Sequence, residues 1–212
     1  MTPRAALDLG LAELRIALPD TARAQLMGYV ALLAKWNRTY NLTAIDDPLR
    51  MVSHHLLDSL AVLPHLPMPG DAPSLADAGS GAGLPGIPLA VARPEWRVVL
   101  AESSEKKTAF LRQATLELGL RNVEVHQGRV EEWRPAQRFA VVISRAFAEL
   151  ARFIAACRHL IAPGGVLAAM KGVLPSAELA GVPADYRCGE VIVLKTPRVD
   201  AARHLVLCRA DG

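Results

Sequence analysis

Cysteines and long apolar runs are scarce in this sequence of 212 residues, and each scarcity excludes a class of protein. The three cysteines, Cys157, Cys188 and Cys208, are odd in number, far apart and in no C-x-x-C arrangement. This pattern argues against a disulfide framework or a zinc site, and we expect all three to be core thiols. The longest apolar stretches are far shorter than the ~20 residues of a membrane-spanning helix. We therefore expect neither a membrane nor a metal partner.

The first residues also lack the pattern of a secretion signal, because the acidic Asp8 stands where a signal peptide carries its apolar region. We therefore expect a cytoplasmic protein. Hydrophobic residues make up 51% of the chain and charged residues 21%, which excludes global disorder. The length fits one full-sized domain, with or without a helical appendage, but not two enzymes. The net charge of +3, with 19 Arg and 5 Lys, permits an acidic partner without requiring one.

Helical periodicity dominates residues 1–63, which we interpret as a helical cap. Asp20 is a candidate N-cap, and Asp47 followed by Pro48 marks a second helix start. Residues 64–73 hold four prolines and a glycine, which cannot continue a helix. This stretch predicts a linker to the segment that follows.

From residue 74 to residue 212, short apolar runs alternate with segments of helical length, which is typical of a parallel sheet with helices on both faces. The predicted strands are 75–78, 97–101, 123–126, 139–143 and 166–170, and the predicted helices open near 84 and span 104–118 and 150–160. Two further runs, 191–194 and 204–207, have no crossover helix between them and should pair as an antiparallel hairpin. The predicted fold is an α/β, Rossmann-like sheet of seven strands.

A glycine-rich loop directly follows the first predicted strand. Gly79, Gly81 and Gly83 let the backbone turn tightly and approach a ligand closely. In open α/β sheets a nucleotide-like cofactor binds at this position. The stretch fits the dinucleotide fingerprint, as Gly81-x-Gly83-x-x-Gly86, and equally the loop of S-adenosylmethionine (AdoMet) methyltransferases. An ordinary strand-to-helix turn is the remaining interpretation.

Glu102 ends the second predicted strand, where an acid that binds both ribose hydroxyls is expected. NAD and AdoMet enzymes share this acid, so Glu102 indicates a ribosyl cofactor without choosing between them. Residues 128–132, after the third strand, offer backbone N–H groups and acids suited to an adenine edge. A dehydrogenase usually has a longer chain, and a terminal antiparallel hairpin is typical of AdoMet methyltransferases. The residues therefore favour an AdoMet enzyme and leave a dehydrogenase as an alternative.

An ordered set of motifs resembles the 16S ribosomal RNA small-subunit methyltransferase G family, also called glucose-inhibited division protein B. The motifs span about residues 32–209 and are Trp36 to Thr43, His55 to Ser59, Gly79 to Gly86, Lys106-Lys107, Phe110 to Arg112, Ser144 to Ala148 and Met170 to Gly172. Each is weak alone, but the ordered set is specific.

The resemblance implies methyl transfer from AdoMet to N7 of a guanine in the 530-loop region of 16S ribosomal RNA, at position 527. It also implies a set of cofactor-site residues: Gly79 and Leu84 for the methionine and ribose part, Glu102, Ser103 and Ser104 for the ribose and adenine side, Val130 and Glu131 for the adenine, and Arg145. The family commonly has Asp where this chain has Glu102, which keeps the charge and adds one methylene.

Guanine N7 is an unprotonated acceptor, so its methylation needs no general base. Catalysis should rest on positioning and on polar groups that tolerate the cation formed. We expect Arg145 to supply orientation, by gripping a phosphate, guanine O6 or the cofactor carboxylate.

Six further residues are candidates for RNA or cleft contacts: Asn41, His55 and Asp58 in the helical segment, Lys171 after the fifth strand, and Lys106 and Lys107. His55, three residues before Asp58, also fits a structural pair with it. Lys171 is the better candidate for a phosphate contact. Trp36 fits core packing better than base stacking.

Two rivals to an RNA methyltransferase follow from the same residues. One is an AdoMet enzyme acting on a small molecule, which an enclosing cap would suit. The other is a non-catalytic ribosome assembly factor that kept the fold, against which the intact loop from Gly79 to Gly86 and Glu102 argue.

Overall fold

The N-terminal segment is helical, as predicted, in a computed structural model that describes residues 1–68, 72–145, 147 and 149–211. Helix α1 spans Pro3–Glu13, α2 spans Asp20–Tyr40 and α3 spans Pro48–Met51. The predicted cap of α3 is confirmed, because the side chain of Asp47 accepts a hydrogen bond from Arg50 N at 2.9 Å. Asp20 is instead the first residue of α2, and Pro19 stands in the cap position without a side-chain hydrogen bond. The prediction that Asp20 is the N-cap of α2 was therefore wrong by one residue.

A π-helical turn, Val52–Leu57, continues α3 into the short helix α4, Asp58–Leu60. A 3₁₀ turn, Leu63–His65, ends the helical segment. It extends into the predicted linker, 64–73, whose residues 69–71 lie outside the described part of the chain. None of the helices in that described part combines the length and apolar character needed to cross a bilayer.

The sheet contains five parallel strands followed by antiparallel ones. The strands are β1 Ser74–Ala78, β2 Arg97–Glu102, β3 Val123–Gln127, β4 Phe139–Ser144, β5 Ile161–Lys171, β6 Tyr186–Cys188, β7 Ile192–Val193 and β8 His204–Ala210. Their order is β3-β2-β1-β4-β5-β8-β6, with β7 also pairing β8. The strand order reverses between β1 and β4, and a crevice opens at such a switch point, outside the carboxyl ends of the strands.

The predicted antiparallel pairing of the two runs is confirmed, since Ile192 pairs with Leu205 and Val193 with His204. The count of seven strands is wrong, because β8 has a second partner, β6, which covers its other end. The three residues of β6 are too few to give an alternating pattern in the sequence. Strand β8 also runs antiparallel to β5 on its other side.

Helices cover both faces of the sheet, as predicted. They are α5 Gly86–Ala92, α6 Glu105–Glu117, α7 Leu150–Cys157, followed by a 3₁₀ turn Arg158–Leu160, and α8 Ser176–Leu179. Alternate strand residues face two cores: one is shared by α5, α6 and the whole helical segment, and the other is shared with α7. Helix α5 starts two residues later than predicted, because Leu84 precedes Pro85 and a residue before proline disfavours helical dihedrals.

The expectation that all cysteines are core thiols is wrong for two of them. Cys188 in β6 and Cys208 in β8 are register partners and form a disulfide. Antiparallel pairing places residues that are 20 positions apart directly opposite each other, which their spacing in the sequence does not reveal. Cys157, in α7, is a buried free thiol, as expected.

Candidate active site

Three glycines shape the loop between β1 and α5. Gly79, Gly81 and Gly83 have φ of +71°, +59° and +88°, which side chains strongly disfavour. A methyl group added to Gly79 would meet no atom within 4 Å, so this glycine borders open space. At Gly83 the added carbon would lie 2.4 Å from Ile87 Cδ1. Gly83 therefore serves packing, whereas Gly79 leaves room beside the backbone for a ligand.

Glu102 is fixed opposite this loop. Its Oε2 accepts a hydrogen bond from Gly81 N and its Oε1 accepts one from Ser104 N, both at 2.9 Å. The residue is buried, with 7% of its surface exposed. Each carboxylate oxygen can accept a second hydrogen bond, so the acid retains capacity for two more donors, such as ribose hydroxyls.

A first cavity, of about 160 Å³, lies between the carboxyl ends of β1, β2 and β3. It brings together five of the residues predicted for the cofactor: Gly79, Glu102, Ser103, Val130 and Glu131. Its other lining residues are Ala101, Gly128, Arg129 and Phe147. An open glycine edge beside a fixed acid with spare acceptors fits a ribosyl ligand.

The other predicted cofactor residues lie outside this lining. Gly81 and Gly83 turn the loop behind Gly79, and Leu84 is buried in the core. Ser104 occupies the N-cap position of α6 and holds Glu102 through its backbone N–H. Gly81 and Ser104 therefore contact the lining residue Glu102 through their backbone N–H groups.

Asp77 is a buried acid that the sequence analysis missed. Its Oδ2 accepts a hydrogen bond from Gly86 N at 2.8 Å, which ties β1 to the start of α5. Burial raises the pKa of Asp77 from 3.8 to about 7, and the hydrogen bond from Gly86 partly offsets this rise. The sequence signal that could have identified Asp77 is its position as an acid inside the apolar run from Leu75 to Ala78.

Tyr29 joins the helical segment to the glycine loop. Its hydroxyl group donates a hydrogen bond to Ala82 O at 2.7 Å, and the side chain is fully buried. Burial raises the pKa of the Tyr29 phenol far above its ordinary value, so the hydroxyl stays a donor. Helix α2 is thereby a structural support of the loop.

A second cavity, of about 330 Å³, lies between the helical segment and the ends of β4, β5 and β8. It collects four residues predicted for catalysis or for the cleft: His55, Asp58, Arg145 and Lys171. The rest of its lining consists of Ile45, His54, Met170, Gly172, Leu194, Arg203 and His204.

Arg145 lines this second cavity and is not part of the lining of the first, although it was predicted for the cofactor site. Its Nη1 donates to His54 O at 3.2 Å and lies 3.5 Å from Asp58 Oδ2. The opposite oxygen, Asp58 Oδ1, accepts a hydrogen bond from Arg203 Nε at 2.8 Å. Sequence reasoning missed Arg203, because it lies in a loop far along the chain from Asp58. The neighbours of Arg145 in its predicted motif, Ala146 and Ala148, lie outside the described residues.

His55 does not pair with Asp58, so that interpretation was wrong. The two residues flank the end of the π-helical turn, which changes the phase of the helix. His55 Nε2 instead lies 2.9 Å from Thr43 Oγ1. Burial, together with the charge of Arg145, lowers the pKa of His55 from 6.5 to about 4. The imidazole is therefore neutral at pH 7.

Lys171 is enclosed rather than presented to solvent. Its ammonium group donates to Glu178 Oε2 at 2.7 Å and to Phe147 O at 3.2 Å. Glu178 also accepts a hydrogen bond from Leu150 N at 2.8 Å. These contacts join the segments that follow β4 and β5, so a phosphate contact by Lys171 would compete with Glu178.

The remaining candidates lie outside both cavities. Asn41 is exposed and is the C-cap of α2, with φ of +49°. Asn37, by contrast, is buried and accepts a hydrogen bond from Thr43 N. Lys106 is exposed and Lys107 half-buried in the first turn of α6.

Trp36 packs against the core, as predicted. Its ring centroid lies 5.6 Å from that of Phe110 and 5.1 Å from that of Tyr40. Among the residues that the structure describes, no group of three or more His, Cys, Asp or Glu side chains is arranged to hold a metal ion.

The fold is that of a methyltransferase. Its defining features are the strand order, the antiparallel strand beside β5, and the glycine loop that faces the acid of β2. A SAM-dependent methyltransferase from Aquifex aeolicus superimposes with a TM-score of 0.58 at 19% identity, over 79% of this chain and 96% of that chain. The O-methyltransferase TomG from Streptomyces achromogenes, solved in complex with SAM, gives 0.57 at 21% identity over 87% and 90%.

Sequence comparison identifies the family. The family model of rRNA small subunit methyltransferase G matches residues 22–206. Ribosomal RNA small subunit methyltransferase G of Burkholderia pseudomallei strain 1106a is 50% identical over 214 residues, covering 99% of this chain and 92% of that protein. The protein of that name from Burkholderia thailandensis is also 50% identical, over 99% and 93%. The chain belongs to the rRNA small subunit methyltransferase G family.

Proposed function

We propose that this protein transfers the methyl group of AdoMet to N7 of a guanine in 16S ribosomal RNA, at position 527 in the 530-loop region. Family membership over residues 22–206 supports an enzyme that methylates small-subunit ribosomal RNA. The geometry that supports use of AdoMet is the position of Glu102. Gly81 N and Ser104 N hold this acid beside the open edge of Gly79. We place the reaction in the cytoplasm, on the small ribosomal subunit or one of its precursors.

The cofactor would lie in the first cavity. Glu102 would accept hydrogen bonds from the ribose hydroxyls, since its two oxygens have spare acceptor capacity. Val130 and Glu131 line the same cavity and would contact the adenine. Bound AdoMet supplies a methyl group on a sulfonium, which is electrophilic enough to react with a neutral nitrogen.

The protein's own task is then orientation rather than proton transfer. Guanine N7 carries an in-plane lone pair and no proton, so a general base has nothing to remove. His55 agrees with this, because its pKa of about 4 makes the imidazole a poor proton acceptor. Arg145, at the end of β4 and held by Asp58, is the group that would orient the base.

Methyl transfer can be measured directly. Small-subunit particles from cells that lack this modification are incubated with the protein and AdoMet labelled in its methyl group, and the RNA is digested to nucleosides. We expect label in 7-methylguanosine only. Particles that already carry the modification are the matched control and should take up none.

Three other outcomes would overturn the proposal. Label in a small molecule of a cell extract, with none in RNA, would indicate an AdoMet enzyme with a metabolite substrate. Binding to the particles without any methyl transfer would indicate a non-catalytic assembly factor. Binding of NAD in place of AdoMet would indicate a dehydrogenase.

A further inference from the structure

Cationic side chains outnumber anionic ones in the second cavity. Among the described residues, Arg145, Lys171 and Arg203 line it together with one carboxylate, Asp58, and three histidines, His54, His55 and His204. Glu178, which is outside the lining, already neutralises Lys171. The two arginines share Asp58, so the cavity keeps a positive charge and favours a ligand rich in acceptor oxygens.

Asp58 connects three parts of the chain that are remote in sequence. It is buried in α4, with 4% of its side chain exposed, and it contacts Arg203 through Oδ1 and Arg145 through Oδ2. Arg145 uses Nη1 for its contacts, and Arg203 uses Nε and Nη1. In the described part of the chain, Nη2 of each guanidinium has no hydrogen-bond partner. Both side chains are about a quarter exposed, at 27% and 22%, so a ligand can reach these donors.

Two buried histidines belong to the same lining. Among the described residues, the ring Nδ1 atoms of His55 and His204 are buried and have no hydrogen-bond partner. Buried polar atoms are almost always paired, because an unpaired one costs about 1–3 kcal/mol. Both nitrogens are enclosed by protein and are not accessible from the cavity, so the Nη2 donors of Arg145 and Arg203 are the groups that favour a ligand with acceptor oxygens.

We propose that the second cavity binds the target nucleotide, that Arg203 donates to its acceptor oxygens beside Arg145, and that Asp58 is a positioning residue for both guanidiniums. This rests on the proposed function and assigns its substrate pocket. Guanine N7 has to keep its lone pair for the methyl group, so the arginines should contact O6 or a phosphate oxygen and not N7.

Variants of Arg203 test the pocket. Arg203→Gln removes the charge and the fork, and Arg203→Lys keeps the charge alone. Arg209→Gln is the matched control, because Arg209 is an exposed arginine of β8, the strand that directly follows Arg203, and lines neither cavity. Binding of a 16S RNA fragment that carries the 530 loop is measured by filter retention without AdoMet, and AdoMet binding is measured separately by calorimetry.

We expect Arg203→Gln to raise the Kd for RNA about tenfold or more, and Arg203→Lys to raise it less. Arg209→Gln should stay within about twofold of the wild type, and the Kd for AdoMet should not change in any variant. A fragment with 2-aminopurine at the target position lacks O6. Loss of the Arg203 effect on that fragment assigns the contact to O6, and a salt slope lower by about one assigns it to a phosphate.

Asp58→Asn tests positioning, since it keeps the shape and removes the charge that both arginines share. We expect a higher KM for RNA and a lower kcat at an unchanged Kd for AdoMet, with partial recovery in Asp58→Glu. In the double variant with Arg203→Gln the effects should be less than additive, because the two residues act as one unit. The Arg203 variants still decide the question if Asp58→Asn does not fold.

Three results would overturn the proposal. Arg203→Gln weakening AdoMet binding as much as RNA binding would place the cofactor carboxylate in this cavity. An equal loss in Arg209→Gln would mean general electrostatic attraction. Unchanged RNA binding and kinetics in every Arg203 variant would mean that the pocket has no such role. RNA binding that depends on Arg203, without formation of 7-methylguanosine, would refute the proposed function alone.

Discussion

Gly79, in the loop after β1, and Gly86, the first residue of α5, have opposite surroundings and lead to opposite predictions. A methyl group on Gly79 enters open space next to the first cavity, at the cost of a strained φ of +71°. A methyl group on Gly86 would lie 2.3 Å from Leu100 Cδ2 and 2.8 Å from Asp77 Oδ2. The first substitution should therefore affect the ligand and the second the fold.

We expect Gly79→Ala to lower the free energy of unfolding by only ~1–2 kcal/mol and to weaken AdoMet binding at least tenfold. Gly86→Ala should cost more stability, ~2–4 kcal/mol, because the core has to shift. Urea unfolding and calorimetry measure the two quantities. Equal losses of stability in both variants would contradict the assignment of Gly79 to a ligand edge.

Asp77 makes stability depend on pH. Its pKa is about 7 in the folded protein and 3.8 ordinarily, so the folded state binds the proton more tightly. The stability that this proton confers is complete below pH 3.8 and is lost as the pH rises through 7. Asp77→Asn, which keeps an acceptor for Gly86 N, should be more stable than the wild type at pH 8 by ~2 kcal/mol, and this gain should disappear toward pH 4.

The measurement is urea unfolding of both proteins from pH 4 to pH 8, followed by tryptophan fluorescence. The effect of His55 on the pH dependence of stability has the opposite sign, because its pKa falls to about 4 in the folded protein. The stability that His55 contributes is present above pH 6.5 and is lost as the pH falls through 4. Both proteins contain His55, so its effect cancels in the difference. A difference that does not vary with pH would refute the elevated pKa of Asp77.

Arg145→Ala separates orientation from folding. Removal of the guanidinium leaves Asp58 paired with Arg203, so the carboxylate does not lose its last partner. We expect methyl transfer to fall at least a hundredfold while the free energy of unfolding changes by ~1–2 kcal/mol. Single-turnover transfer and urea unfolding are the two measurements. Unchanged transfer would remove Arg145 from the site.

At the scale of secondary-structure elements, α2 supports the ligand loop through one hydrogen bond. The buried hydroxyl of Tyr29 donates to Ala82 O, between Gly81 and Gly83. Without it, a buried carbonyl loses its partner in a loop whose glycines already give it conformational freedom. The helical segment therefore contributes to the order of the first cavity without lining it.

Tyr29→Phe should lower stability by ~1–2 kcal/mol and weaken AdoMet binding severalfold, with little change in kcat at saturating AdoMet. Tyr40→Phe is the matched control, because Tyr40 is 40% exposed near the end of the same helix. The KM for AdoMet and the kcat are compared in both variants. A change in stability alone would make Tyr29 a core residue without influence on the loop.

At the scale of the whole molecule, one hydrophobic core joins the helical segment to the sheet. Leu7, Leu26 and Leu57 belong to the same cluster of buried residues as Leu75 and Leu100. A side chain in one part therefore packs against side chains of the other, and neither part buries its apolar face alone. The predicted boundary between a cap, a linker and a sheet domain describes the order along the chain and stays a prediction.

We expect a single cooperative unfolding transition for the chain. Trp36 is in the helical segment, whereas Trp96 and Trp133 are in the sheet region. Urea unfolding of variants that keep only Trp36 or only Trp96, with the others replaced by Phe, should give the same midpoint by fluorescence and by circular dichroism. Two separate midpoints would indicate two independently stable units.

Most of the fold could be predicted from local patterns in the sequence. The strands from β1 to β5 were predicted to within a few residues, except for the earlier start of β5, because apolar runs and turn residues are local signals. The sequence also predicted Gly79 and Glu102 for one cofactor site, and both line one cavity. Strand β6 and the cap of α2 were missed or shifted, since each depends on a few residues with no periodicity.

The α/β class, the glycine loop with its acid, and the family could therefore be predicted from the sequence. Which distant residues meet depended on how the chain folds. Cys188 and Cys208 became partners through antiparallel strand pairing, and Asp58 met Arg145 and Arg203 because the helical segment folds over the ends of β4 and β8. The physical reason is that periodicity and turn chemistry act over a few residues, whereas ion pairs and cavities form between segments far apart in the chain.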